Sequence, residues 1–349
     1  MASQSGGALP PPPGAESYFD VNNPGQWRGN AAIHVLCLAI ATVSVMIRQC
    51  ARIYITGSRM GIDDYLSMGS YLLTAVFSRL MHNAYLMGLG RHVQDLPPRS
   101  LTESLKYSVV ASFVYIALSA AIKLMLLFFY RRSFSPQTKR RHLINFGIAF
   151  VACLSTTLLL TSVFSCVPVE RQWNVTIEGY CFNPDILPYI SGISGILTDL
   201  YVLLLPISLL RGLGVNLKQE MGLVAIFVLG LFACVASLVR LAMTLALRSS
   251  FDVTWDMSRV DIWETVQVTL GIVCASLVTL PALLSRHFSE SGKPLSLRLC
   301  LFDNTNDDGG KDRYGGPGYY DKAILEPRQV DKPVIVLTDV GGEKIQYLV

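Results

Sequence analysis

Charge is what this chain has least of: Asp, Glu, Lys and Arg make up 15% of its 349 residues, against 51% hydrophobic residues. Soluble domains carry roughly 25% charged residues, so the composition excludes an ordinary water-soluble globule. Short chemical signatures are missing as well. There is no His-Glu-x-x-His, no Cys-x-x-Cys, no Gly-x-Ser-x-Gly and no Walker loop, which leaves no assignment to zincins, zinc ribbons, serine hydrolases or P-loop enzymes. No metal and no cofactor is implied. The adjacent Asp63 and Asp64 lack the gapped, repeated spacing of magnesium-diphosphate sites and read as partners for a helix N-terminus. No lysine lies between Trp263 and Leu284, so the last apolar run lacks the amine that a retinal Schiff base needs, and retinal is not expected. Basic residues flank apolar runs and form no single patch, which speaks against nucleic acid as a partner.

What the chain does have is long apolar runs. A bilayer core about 30 Å thick needs roughly 20 such residues in a helix. Seven runs meet this, near residues 31 to 55, 64 to 87, 105 to 130, 142 to 165, 186 to 210, 221 to 246 and 263 to 284. None alternates with period two, so the fold expected is an all-α, polytopic seven-helix bundle in a lipid membrane. Residues 1 to 30 include Pro10 to Pro13 in a row and do not read as a signal peptide. They are expected as a disordered outer segment, residues 31–286 as the membrane domain, and residues 287–349 as a mostly disordered cytosolic tail. The apolar stretch Pro333 to Leu337 within that tail reads as a short linear motif.

Lysine and arginine set the orientation. Arg48, Arg52, Arg59, Arg131, Arg132, Lys139, Arg140, Arg141, Arg211, Lys218, Arg286, Lys293 and Arg298 fall on one side, and Arg28, Arg91, Arg99, Lys106, Arg171, Arg248 and Arg259 on the other. The richer side faces the cytosol, so the N-terminus is expected outside. Of eight cysteines, Cys166 and Cys181 occupy the outer loop between the fourth and fifth runs, where oxidising conditions favour a disulfide. Asn174-Val175-Thr176 in the same loop is a glycosylation acceptor pattern.

Ionisable groups are costly in lipid and face the bundle interior. On the second helix Asp64, Ser67, Tyr71, Thr74, Ser78, His82 and Tyr85 recur at spacings of three and four, with Arg79 beside them. Counting depth along the helices puts Arg79, His82, Arg240, Glu264 and Gln267 in the outer third and Asp199 deeper. These six are the candidate cavity for a small-molecule ligand or substrate; the competing reading is structural salt bridges such as Arg240 to Glu264. Lys123 is in reach, by depth, of Asp63 or Asp64, and a structural ion pair between Asp64 and Lys123 is expected. Gly192 and Gly195 permit close helix approach, and Pro188, Pro206 and Pro281 are expected to kink or end helices.

Several motifs together resemble the fungal rhodopsin-domain family of seven-helix membrane proteins, grouped with the satratoxin-cluster protein. They are Arg48 and Arg52 before Gly61-Ile62-Asp63-Asp64-Tyr65-Leu66, then Gly88-Leu89-Gly90-Arg91-His92, then Lys123 before Phe129-Tyr130-Arg131-Arg132-Ser133-Phe134. Cys166-Val167-Pro168 with Trp173 and Cys181, Thr198-Asp199 with Leu205-Pro206, Arg240 and Trp263 follow in order. The seventh helix departs from the pattern: Gln267 stands where the family shows an acid, Glu264 lies one turn away, and the usual Cys-x-x-x-Pro-x-x-Arg-Pro ending is absent. The resemblance implies a receptor-like protein that signals through Arg131 to Arg141 and the tail to a cytosolic partner. The alternative it admits is an enzyme of the cyclase or isomerase type, or an accessory protein, in secondary-metabolite biosynthesis, with a transporter third. Residence in the plasma membrane or an internal membrane is implied.

Overall fold

The structure is a computed structural model that describes residues 26–56, 60–133, 138–174, 176–182, 186–210, 217–247, 250 and 252–290. The tail from residue 291, with its Pro333 to Leu337 stretch, and residues 1–25 of the N-terminal segment lie outside the described residues.

Seven long helices account for nearly everything described. They are α1 (Trp27–Cys50), α2 (Ile62–Leu86), α3 (Pro98–Ser133), α4 (Thr138–Val163), α5 (Ile186–Leu210), α6 (Leu217–Leu247) and α7 (Val253–Glu290). Alpha-helical backbone satisfies every interior N–H and C=O within the segment, which a span in lipid requires. Six of the seven are long and apolar enough to cross a membrane; α2 is the exception. Its inward face carries Asp63, Asp64, Ser67, Ser70 and Thr74, all buried, so its mean hydropathy is low although its outward face shows Tyr65, Leu72 and Val76.

The bundle buries charged side chains and shows apolar ones on its outside in a way no soluble protein does. Val35, Leu36, Phe146, Leu204, Phe232 and Leu238 are each more than half exposed, while Arg48, Asp63, Asp64, Lys123, Arg240 and Glu264 are buried. Lipid is the solvent that accepts such an exterior. The chain is therefore a multi-pass membrane protein. Helices α3 and α7 form its middle: α3 packs on α2, α4, α5 and α7, and α7 packs on α1, α2, α3 and α6. The apolar stretch of α7 is 56% buried against 17% for α4, which makes α7 the axis and α4 an outer strut.

Helix ends differ from the expected limits where polar residues extend them. The first helix starts at Trp27 rather than 31, and after Cys50 it continues through one π-helical turn, Ala51–Thr56. The seventh begins ten residues earlier than expected, at Val253, and runs to Glu290. Pro206 lies within α5, and α7 passes through Pro281 without ending. Gly192 faces Leu241, and a side chain added at Gly195 would meet the Arg240 guanidinium at 3.3 Å, so both positions serve the approach of α5 to α6.

Two connections cap one end of the bundle. Between α4 and α5, Cys166–Val167 pairs antiparallel with Tyr180–Cys181, and the Cys166–Cys181 disulfide closes this hairpin as expected. Between α2 and α3, Gly88 and Gly90 take left-handed backbone with φ 117° and 80°, open to glycine at little cost. That turn buries Leu89 completely and ties two helix starts together: Gln26 N–H donates to Gly90 O at 3.2 Å, and Gly90 N–H to Thr254 O at 3.2 Å. His92 stacks on Trp255 at 4.5 Å and pairs with Asp252.

Candidate functional site

The end opposite the disulfide carries the densest charge. Asp63 and Asp64 sit in the first turn of α2, beside its positive dipole end, and Gly61 N–H donates to Asp64 Oδ2 at 3.1 Å. Three arginines surround them. Asp63 pairs with Arg48 (2.9 Å), Arg52 (2.7 Å) and Arg132 (3.2 Å); Asp64 pairs with Arg48 (3.4 Å), Arg52 (3.2 Å) and Arg132 (3.6 Å). Arg48 also donates to the Ala275 carbonyl of α7 at 2.8 Å. This cluster thus joins α1, α2, α3 and α7.

The expected Asp64–Lys123 pair is not formed. Lys123 Nζ lies 3.0 Å from Asp199 Oδ1 of α5 instead. The reason is depth: Arg132 comes nine residues after Lys123 on α3, about 14 Å further along at 1.5 Å per residue, and it is Arg132 that reaches the start of α2. Lys123 remains at mid-bundle, donating also to Thr198 Oγ1 at 2.6 Å and Gly195 O at 3.3 Å. On the other carboxylate oxygen, Asp199 Oδ2 accepts from Ser237 at 2.5 Å and Gln267 at 3.0 Å. Three donors on the ammonium meet three acceptors, so this hub is saturated.

From the hub a polar chain climbs toward the disulfide end. Gln267 Oε1 accepts from the Tyr115 hydroxyl at 2.8 Å. Arg240 lies over the Tyr115 ring at 5.2 Å and 3.7 Å from Glu264. One turn before Glu264 stands buried Asp261, and across from α7 are Asn30 and His34 of α1, both 4% exposed. The His34 ring nitrogens lie 3.3 Å from the Tyr85 and Thr265 hydroxyls. Four of the six expected cavity residues, Asp199, Arg240, Glu264 and Gln267, therefore come together. Arg79 does not: it is exposed, on the far side of α2 from buried Phe77 and Met81. His82 is half-buried on the flank of the same helix.

Sequence reasoning passed over Asp261, Asn30, His34, Tyr115 and Ser237. Asp261 fell outside the expected seventh span, which was begun at residue 263; its spacing of three from Glu264 is the signal that would have found it. The others are small or neutral and carry no charge to mark them.

The open space in this region is modest. A cavity of about 70 Å³ lies among α3, α5, α6 and α7, lined by Lys123, Tyr130, Asp199, Leu203, Phe227 and Cys274. Ligand pockets run to roughly 300–1,000 Å³, so it has room for a few waters or a short chain end, not a whole metabolite.

Comparison with known proteins now fixes the lineage. The fungal rhodopsin domain model matches residues 47–286, most of the chain and all of the geometry above from Arg48 onward. The chain belongs to the fungal rhodopsin domain family. Its relatives in this family include a SAT4 family membrane protein of Emericella nidulans, 27% identical over 60% of this chain and 53% of the relative. The chain thus spans about half the length of that protein. Fugralins biosynthesis cluster protein 2 of Gibberella zeae is 26% identical over 80% of this chain and 71% of its own. Receptor GIN3 of Arthrobotrys oligospora is 23% identical over 80% of this chain and 67% of its own. No solved structure matches. This fungal rhodopsin-domain chain accordingly has both a receptor and biosynthesis-cluster proteins among its relatives.

Proposed function

We propose that the chain is a receptor-like membrane protein that binds a small ligand at the disulfide end of the bundle and passes the change along α7 to the arginine-aspartate cluster at the other end. The observation that carries this reading is the continuity of the buried polar network. Glu264 and Gln267 engage Arg240, Tyr115 and Asp199, and on the same helix Ala275 O is held by Arg48. From Glu264 to Ala275 is about 16 Å along one rigid helix. A shift of α7 at the first site is thereby felt at Arg48, Asp63 and Arg132, where α3 ends. Coupling of this kind needs two arrangements whose balance each end biases.

In this reading the disulfide hairpin is outside and the arginine cluster cytosolic, from the lysine and arginine asymmetry of the loops. Asn174, whose side-chain oxygen accepts from the Thr176 hydroxyl at 2.7 Å, carries the glycan. Arg131 to Arg141 and the tail contact the cytosolic partner, in the plasma membrane or an internal one.

The test is ligand-dependent guanine-nucleotide exchange by a fungal heterotrimeric G protein added to membranes holding the full chain, with culture extract as the ligand source. Exchange that requires the extract and vanishes in Arg240→Ala at equal membrane level supports the reading. Exchange that the variant leaves unchanged sinks it.

A second reading rests on one observation, the two buried carboxyls Asp261 and Glu264 on one face of α7. Such a pair is suited to general acid and base roles in a membrane-embedded cyclase or isomerase. A substrate consumed by isolated membranes, with loss of turnover in Glu264→Gln, would favour it over the receptor.

A further inference from the structure

The hairpin between α4 and α5 presents two unlike faces. Cys166 pairs with Cys181 and Val167 with Tyr180 across the ribbon, and Phe182 N–H donates to Ser165 O at 2.8 Å, which carries the pairing one step further. Side chains alternate across a ribbon, so the disulfide lies on one face and Val167, Tyr180 and Phe182 on the other. Cys166 is buried, whereas Val167, Tyr180 and Phe182 are 71%, 76% and 54% exposed. Large apolar side chains gathered on one open face mark a surface that something covers.

The surroundings of this face identify its cover. The ribbon is strung between two spans: Phe164 comes directly after Val163, the last residue of α4, and Phe182 four positions before Ile186, where α5 begins. Four residues reach at most about 14 Å, so the face stays close to where both helices leave the lipid. Apolar exposure is also continuous there. Leu160 and Phe164 at the end of α4, and Ile186 and Ile190 at the start of α5, are exposed pairs one turn apart, so the lipid-facing sides of both helices run into the ribbon. The charged residues of the loop, Glu170, Arg171 and Glu178, all lie in the turn beyond the two strands. That turn rests on the end of α4, where Gln172 Nε2 donates to Ser162 O at 3.3 Å and Val163 O at 2.9 Å, and α4 is the least buried of the six apolar spans.

We propose that the Val167, Tyr180 and Phe182 face, with Phe164, is an interfacial anchor that lies in the adjoining leaflet at the boundary of headgroups and acyl chains. Aromatic rings suit that depth: the ring body meets the chains while the Tyr180 hydroxyl stays among headgroups and water. The Cys166–Cys181 disulfide holds the two strands in the register that puts these side chains on one side. The partner is thus a lipid surface, and the inference goes beyond the receptor-like reading without depending on it.

Full-length chain in phosphatidylcholine nanodiscs is compared with Tyr180→Trp and Glu178→Trp, the emission of the native tryptophans being subtracted. The emission that Tyr180→Trp adds is expected to be quenched about twofold more by lipid brominated near the headgroup than by lipid brominated near the chain end, and to be spared by acrylamide in the water. The emission that Glu178→Trp adds, in the charged turn, is expected to be quenched by acrylamide and spared by both lipids. Should Tyr180→Trp fail to fold, Phe182→Trp on the same face takes its place with the same expectation. Acrylamide quenching without lipid quenching at Tyr180→Trp puts the face in water and overturns the anchor. Added emission shielded from both quenchers overturns it as well, because protein, a second copy or another segment of this chain, then covers the face. Equal lipid quenching in Tyr180→Trp and Glu178→Trp overturns the assignment to this face.

Discussion

Lys123 and Asp199 offer the sharpest test of how the bundle is held, because each is the other's counterion at mid-depth and each side chain is about one tenth exposed. Lys123→Met keeps the volume and leaves Asp199 charged, with only the Ser237 hydroxyl and the Gln267 amide as donors. Asp199→Asn keeps an oxygen for those two donors and leaves the ammonium with Thr198 Oγ1 and Gly195 O. Breaking a buried pair from one side costs about 3–5 kcal/mol, whereas replacing both partners with neutral groups of similar shape is often close to neutral. Each single variant should therefore lose about 3–5 kcal/mol. The double variant should lose less than about 2, a coupling of at least about 4 kcal/mol in the cycle. In thermal unfolding of nanodisc-held protein, that is on the order of 10 °C for each single variant and a few degrees for the double. Single variants that melt within 2 °C of the native chain, or a double variant as unstable as the worse single, would refute the argument that this pair is desolvated and mutually dependent.

Three further outcomes follow from the same geometry. Arg48→Ala should cost about 3–5 kcal/mol, since it strips a fully buried guanidinium from two aspartates and from the Ala275 carbonyl. Arg132→Ala, whose side chain is 36% exposed, should cost no more than about 1 kcal/mol; the same melting assay ranks them, and equal losses would contradict the burial difference. Opening the hairpin by Cys166→Ser with Cys181→Ser releases a loop of sequence separation 15, worth about 3 kcal/mol, and the doubly substituted chain should become insensitive to reductant. Gly88→Ala forces a side chain into left-handed backbone at φ 117°, and against Leu96, for a loss of about 1–3 kcal/mol, while Gly69→Ala, with open space around it, should be neutral or better.

How much of this could be read from residues alone depended on what each residue had to do. Apolar runs announce themselves because the bilayer demands length, and all seven helices were expected within a few residues at most ends. The ends that moved are those where charged or polar residues continue a helix past the lipid, as Asp256 and Arg259 do at the start of α7. Counting depth along the helices set Arg240, Glu264, Gln267 and Asp199 in one expected cavity, and these four side chains do lie together in the structure. It failed for Arg79, because a residue at the right depth can still lie on the wrong face, and it failed for Lys123, because two aspartates at one end looked like the natural counterions. What sequence did not show is that three arginines already occupy those aspartates. Partners several helices apart, such as Tyr115 with Gln267 or Arg48 with Ala275, are legible only once α3 and α7 are seen side by side.

The receptor-like reading is tested most directly by deleting the gene in a fungus that carries it and profiling the metabolites by mass spectrometry, with the deletion complemented by native chain. If the chain senses and does not catalyse, metabolites of any one pathway stay level or rise and fall together, no single intermediate accumulates, and the lost property is a response to an outside cue that native chain restores. If instead one product disappears, its precursor accumulates, and membranes holding the native chain convert that precursor, the protein is an enzyme and the receptor account is wrong.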